Sequence, residues 1–146
     1  MGKRVLYFEE IQEGEEAPPV VVANITRTHI VKYAGASGDF NPIHHDDLYA
    51  IRAEHDRVFA MGMMTAGFLS RMITDWVGDG KLRRYKIRFA RQAWPGDTIT
   101  CKGKIIRKYT EGSTHYLEAE VFAENQRAEK VVTGMIVGEG LSQRDR

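Results

Sequence analysis

Residues 61–77, MGMMTAGFLSRMITDWV, decide the architecture. Met61, Met64, Thr65, Phe68, Leu69, Met72, Ile73 and Trp76 recur at i, i+3, i+4 and i+7, which is one face of an α-helix. Gly78 and Gly80 follow and stop it. The stripe reads first as core, because methionine is adaptable packing material. Everything after it alternates between apolar and polar and is cut by turns. Strands are predicted at 82–94, 98–108, 115–124 and 130–137. Pro95-Gly96-Asp97 separates the first two, and Glu111-Gly112-Ser113 and Glu124-Asn125-Gln126 occupy hairpin positions. One long apolar helix followed by an antiparallel meander predicts an α+β fold, with the helix packed on a sheet face.

Working back toward the N-terminus, the β-branched run at 20–26 predicts a further strand. A short helix follows with Thr28 as its N-cap, and Ser37-Gly38 breaks it. Next comes YAGASGDFNPIHHDDLY, residues 33–49. It places an acid, Asp39, and a base, His44, five residues apart around an Asn-Pro turn. Pro42 biases Asn41 away from helical angles, so the stretch between acid and base is predicted to be irregular. Two side chains five apart can converge in such a loop, whereas helix neighbours are three or four apart. A carboxylate and an imidazole within reach of one substrate are the minimum equipment for general acid–base chemistry. Asp46-Asp47 opens a second helix, predicted at 46–55, with acids in its first turn as the helix dipole prefers.

A chain of 146 residues is read as one domain, 1–146, able to bury a core without disulfides or metals. Net charge is only +1, so no nucleic-acid or anionic-membrane surface is expected. No apolar run approaches the roughly 20 residues of a membrane span. The N-terminal MGKRVLYFEE turns acidic before any long apolar run, so it is not read as a signal peptide. Cys101 is the one cysteine, which excludes an internal disulfide and suits a reducing compartment, the cytoplasm. With no basic partner nearby in sequence, it is read as an inert strand residue. The polar SQRDR at 142–146 is expected to fray. His44-His45-Asp46-Asp47 looks like a metal cluster, but adjacent side chains point different ways and no second ligand pair follows at zinc spacing. No metal is expected. His29, His55 and His115 are read as ordinary surface or strand residues.

The run Tyr33, Gly38-Asp39-x-Asn41-Pro42-Ile43-His44-x-Asp46 resembles the signature of the MaoC-like dehydratases, the (R)-specific enoyl-CoA hydratases and their dehydratase relatives. Gly62-Met63 at the helix start and Pro95-Gly96-Asp97 extend the resemblance over most of the chain. It implies the hot-dog fold, a curved antiparallel sheet wrapped around one long central helix. It also implies units working in pairs with active sites near the interface, here a homodimer or a hot-dog heterodimer. The implied reaction adds water to a trans-2-enoyl thioester of coenzyme A or acyl-carrier protein, giving an (R)-3-hydroxyacyl thioester, or runs in reverse. No cofactor is implied.

By the same resemblance Asp39 and His44 are the catalytic pair, and the backbone N–H of Gly62 stabilises the enolate oxygen. A helix N-terminus suits that task, because its N–H groups are free and its dipole end is positive. Ser70, Asn41 and Met63 are candidate substrate-binding residues, with Asn41 also read as bracing the loop. One departure is Met61, where many relatives carry histidine before the helix glycine. The end of the methionine stripe is a candidate wall for an acyl tunnel. Arg83, Arg84, Lys86, Arg88 and Arg91 form a basic run that is either a solvated strand face or a partner for carrier phosphate. Two other readings stay open: an acyl-thioester-binding subunit of a heteromeric dehydratase, and a hot-dog thioesterase. Activity of the chain alone separates the first from the hydratase. Release of free thiol, against loss of the enoyl chromophore, separates the second.

Overall fold

The computed structural model describes residues 7–140 and Ser142. The expectations for 1–6 and 143–146 lie outside the described residues. Five strands, β1 (Val20–Val22), β2 (Leu82–Phe89), β3 (Ile99–Glu111), β4 (Thr114–Glu124) and β5 (Lys130–Gly140), form one sheet in the order β1-β3-β4-β5-β2. Every neighbouring pair is antiparallel. Three helices precede β2: α1 (Arg27–Ser37), α2 (Asp47–Arg52) and α3 (Gly62–Val77).

The long helix appears where its period placed it. Leu69 and Ile73 have no exposed surface, and Met64, Met72, Trp76 and Val77 are buried beside them. α3 touches all five strands, so the sheet wraps it as the hot-dog fold requires. Strand alternation supplies the other half of the core. Ile99, Cys101 and Ile105 of β3 and Leu117, Ala119, Val121 and Ala123 of β4 all point inward. Gly103 sits between Cys101 and Ile105 because a Cβ there would meet the Trp76 ring at 3.1 Å. The helix beds into the sheet at that glycine.

The strands form a meander only in part. β3, β4 and β5 follow one another, joined first by the tight turn at Gly112-Ser113, with Gly112 at φ +60°. The β4–β5 connection is organised by Asn125, whose side-chain oxygen accepts from the N–H groups of Arg127 and Glu129. β2, however, lies beyond β5 and not beside β3. The chain therefore crosses from one side of the sheet to the other between Phe89 and Ile99. Pro95-Gly96-Asp97 turns it there, with the buried Asp97 carboxylate accepting from the Trp94 N–H and from the Gln126 amide.

Several boundaries differ from those read in the sequence. β1 ends at Val22, because Asn24 adopts φ +52° and Ile25 turns into the core. The N-cap of α1 is Thr26 and not Thr28. Its hydroxyl accepts from the His29 N–H, and His29 Nδ1 in turn accepts from the Thr26 N–H. His29 is thus a capping residue and no ordinary surface histidine. α2 is shorter than predicted; Asp46 caps it and Glu54, at φ +64°, prevents its extension. β2 stops at Phe89 and not at 94, as Ala90 leaves the ladder to donate to the Val131 carbonyl. Among the described residues, no helix is long and apolar enough to cross a membrane.

Candidate active site

The acid–base loop is built by a relay of short-range hydrogen bonds. α1 ends on Gly38, which adopts φ +74°, a conformation that costs other residues strain. The Ser37 hydroxyl donates to the Tyr33 carbonyl and accepts from the Asp39 N–H. Asp39 Oδ1 accepts from the Asn41 N–H, and Asn41 Oδ1 from the Ile43 N–H. That last bond caps a single 3₁₀ turn, Pro42–His44, within the stretch predicted to be irregular. With Oδ1 engaged by backbone, Asp39 turns Oδ2 toward His44 Nε2 at 3.8 Å.

His44 is buried, and its other nitrogen decides its state. Nδ1 lies 2.8 Å from the Phe59 carbonyl oxygen. A carbonyl only accepts, so Nδ1 carries a proton, and Nε2 is the nitrogen left turned toward Asp39. The same Phe59–Ala60 peptide group is held at its far end, where the Ala60 N–H donates to the Ala93 carbonyl at 2.8 Å. Hydrogen bonds chained through one peptide unit polarise and strengthen each other. The Phe59 ring also meets His44 edge-on at 5.1 Å and Trp94 at 5.7 Å.

α3 delivers the third component. α1 and α2 are capped by Thr26 and Asp46, but the N-cap of α3 is Met61, whose side chain makes no capping bond. The first N–H groups of this helix therefore have no side-chain partner at its N-cap. Gly62 is needed there for a reason internal to the protein: a Cβ would meet the Phe89 ring at 2.8 Å.

These parts surround one pocket of about 380 Å³, lined by Asp39, His44, residues 59–63 and residues 89–92. Of the residues singled out from sequence, Asp39, His44, Gly62 and Met63 meet in this pocket. Asn41 does not line it; its side chain braces the loop. Ser70 does not line it either, and its hydroxyl donates to Gly67 within α3. The basic run divides. Tyr85 reaches the Ala66 carbonyl of α3, so Arg84, Lys86 and Arg88 project from the opposite sheet face. Arg83 is tied to Glu139, and Arg91 alone lines the pocket. Residues missed from sequence are Phe59, Ala60, Phe89, Ala90 and Gln92. Their contributions are a backbone carbonyl and ring packing from distant segments, which no local motif records. Among the described residues, no three His, Cys, Asp or Glu side chains converge as a metal set.

Comparison with known proteins gives a consistent picture. The sequence model described as a MaoC-like domain matches residues 10–126. The (R)-specific enoyl-CoA hydratase of Rhodospirillum rubrum is 34% identical over 96 residues, which are 64% of this chain and 65% of that enzyme. The chain thus aligns with less than two thirds of that relative's length. The unliganded R-hydratase PhaJ1 of Pseudomonas aeruginosa superposes with a TM-score of 0.83 at 22% identity, covering 95% of this chain and 88% of the other. In the ChsH1-ChsH2 complex of Mycobacterium tuberculosis a chain matches with a TM-score of 0.75 at 23% identity, covering 88% and 98%. Identity this low shows a shared fold. The family match spans most of the sequence and contains the Asp39–His44 loop and the start of α3, and on that ground the chain belongs to the MaoC-like dehydratases.

Proposed function

We propose that this protein adds water to trans-2-enoyl thioesters, giving (R)-3-hydroxyacyl thioesters, or catalyses the reverse dehydration. The observation that carries the reading is the 3.8 Å approach of Asp39 Oδ2 to Nε2 of His44 beside the uncapped start of α3. The two atoms are too far apart to bond each other directly. One oxygen fits between them at about 2.8 Å from each, the usual length of such a bond. A water there donates one hydrogen to Asp39 and one to His44, leaving its lone pairs free for the β-carbon.

In the hydration direction the water oxygen bonds to the β-carbon as its proton passes to the Asp39–His44 pair. The double-bond electrons move to the thioester oxygen, and the Gly62 N–H receives that negative charge. Loss of one such donor costs roughly 3–4 kcal/mol of barrier in other enzymes. The enolate then takes a proton at its α-carbon from the pair, which returns to its starting state. Both transfers come from one side of the substrate, which supports a single product configuration. The relatives' names support the same class of activity. We read the chain as one hot-dog unit whose catalytic groups all lie on it.

The test is a hydration assay on the purified chain with short, medium and long trans-2-enoyl-CoA substrates and chiral analysis of the product. Turnover to the (R)-alcohol is expected, with Asp39→Asn and His44→Ala each losing roughly 100-fold or more. A folded protein that turns over no thioester, CoA-linked or carrier-linked, overturns the reading. Activity that appears only with a second hot-dog chain favours the heteromeric subunit, and free thiol without hydration favours a thioesterase.

A further inference from the structure

The His44 ring owes its orientation to the Phe59 carbonyl, and that carbonyl belongs to a segment, residues 53–61, with no helix or strand to stiffen it. Something must fix this strap from outside. At one end the Ala60 N–H is tied to Ala93. At the other, the Val58 N–H donates to Asp47 Oδ1 at 3.0 Å. The two ties bracket Phe59. The buried Val58 side chain and the Phe59 ring keep the strap against the protein, and the second hydrogen bond fixes the rotation of the peptide group between them. Asp47 is itself oriented, because its Oδ2 accepts from Arg27 of α1 at 2.7 Å. One carboxylate thus joins α1, which ends beside Asp39, to α2, which follows His44, and to the strap that holds His44. The Val58 N–H and Arg27 both stabilise its charged form and keep its carboxyl below the ordinary range.

We propose that Asp47 is a positioning residue for His44: by holding the Val58 N–H it fixes the strap whose Phe59 carbonyl selects the Nδ1–H tautomer and leaves Nε2 facing the substrate. This deepens the hydratase reading and rests on it for its catalytic consequence, while its structural half stands without it. Asp47 touches no reacting atom. The property that holds the strap is the acceptor oxygen on Val58, which Asp47→Asn keeps and Asp47→Ala loses. Val58 has no exposed surface, so its side chain keeps the strap on the protein when the tie is cut, and Asp47→Ala is expected to fold.

The experiment measures imidazole ¹⁵N shifts of His44 in mildly alkaline buffer, together with kcat and KM. Wild type shows a protonated Nδ1 and an unprotonated Nε2. Asp47→Ala is expected to show mixed tautomers and to lose about tenfold in kcat, short of the roughly hundredfold that a 1 Å displacement can cost. Its KM stays unchanged, since substrate contacts are untouched. Asp47→Asn keeps an oxygen for Val58 but turns its NH2 toward Arg27, so it is expected to recover part of both readouts. A folded Asp47→Ala with the wild-type ¹⁵N pattern overturns the proposal, as does an Asp47→Asn no better than alanine. If wild type hydrates no thioester, the hydratase reading fails alone, and the ¹⁵N pattern still decides the role of Asp47.

Discussion

At the scale of single residues, Gly62 does two jobs that pull on the same atom. It lines the pocket, and its missing side chain makes room for the Phe89 ring. Glycine at that position was legible as part of a family motif, but the reason for it was not. Phe89 arrives from the end of β2, and sequence patterns carry no information about which distant ring closes on which backbone atom. The two jobs come apart on mutation. Gly62→Ala is expected to destabilise the protein by about 1–3 kcal/mol, as overpacking does elsewhere. In a Phe89→Ala background the same change should cost little, because the obstructing ring is gone. Urea denaturation of the two single variants and the double variant gives the coupling directly. An equal cost in both backgrounds would mean that some contact other than Phe89 excludes the methyl group.

At the scale of elements, the apolar face of α3, the strands and both hairpin turns were readable, because period and turn chemistry are local properties. Caps were less so. Thr26 and Thr28 both stand near the start of α1, and the partner that decides between them is His29, where a capping box usually has Glu or Gln. Pairing of β2 with β5 was not readable, although one of its locks is built from the basic run. Glu139 of β5 accepts from Arg83 Nε at 2.7 Å and lies 3.5 Å from Lys81 Nζ. The Arg83 hydrogen bond is the main reason its carboxyl is held below the ordinary value of 4.5. A carboxyl lowered in the fold adds stability that is fully present above 4.5 and disappears as pH falls through the folded value. Glu139→Gln should therefore be less stable than wild type at neutral pH and fall away less steeply in acid, so that the two curves converge. Stability measured by chemical denaturation across the acid range tests this. Parallel curves would show that Glu139 titrates alike in the folded and unfolded chain.

At the scale of the whole molecule, alternation told which face of a strand looks inward but not which strand lies next to it. Nothing in the 82–137 pattern distinguishes a simple meander from the order found, in which β2 sits beyond β5. That order puts β3 and β4 in the interior of the sheet, under α3, and it gives Cys101 its environment. The cysteine read as inert from sequence has no exposed surface, and burial pushes its thiol from 9.0 up to about 12. The unfolded chain gives up this proton above 9.0 while the folded protein keeps it, so global stability should decline as pH climbs from 9.0 toward 12. Tyr85, raised by burial where its hydroxyl meets Ala66, adds to the decline in the same direction. Cys101→Ala removes one of the two groups, so its alkaline limb should be shallower than that of wild type, whatever the cost of the lost sulfur at neutral pH. Alkylation gives a second reading of the same core: Cys101 should react only through global unfolding, with a urea dependence equal to that of the circular dichroism transition. Labelling that runs ahead of that transition would mean that β3 opens on its own, and a core shared by all five strands with α3 leaves no route for it to do so.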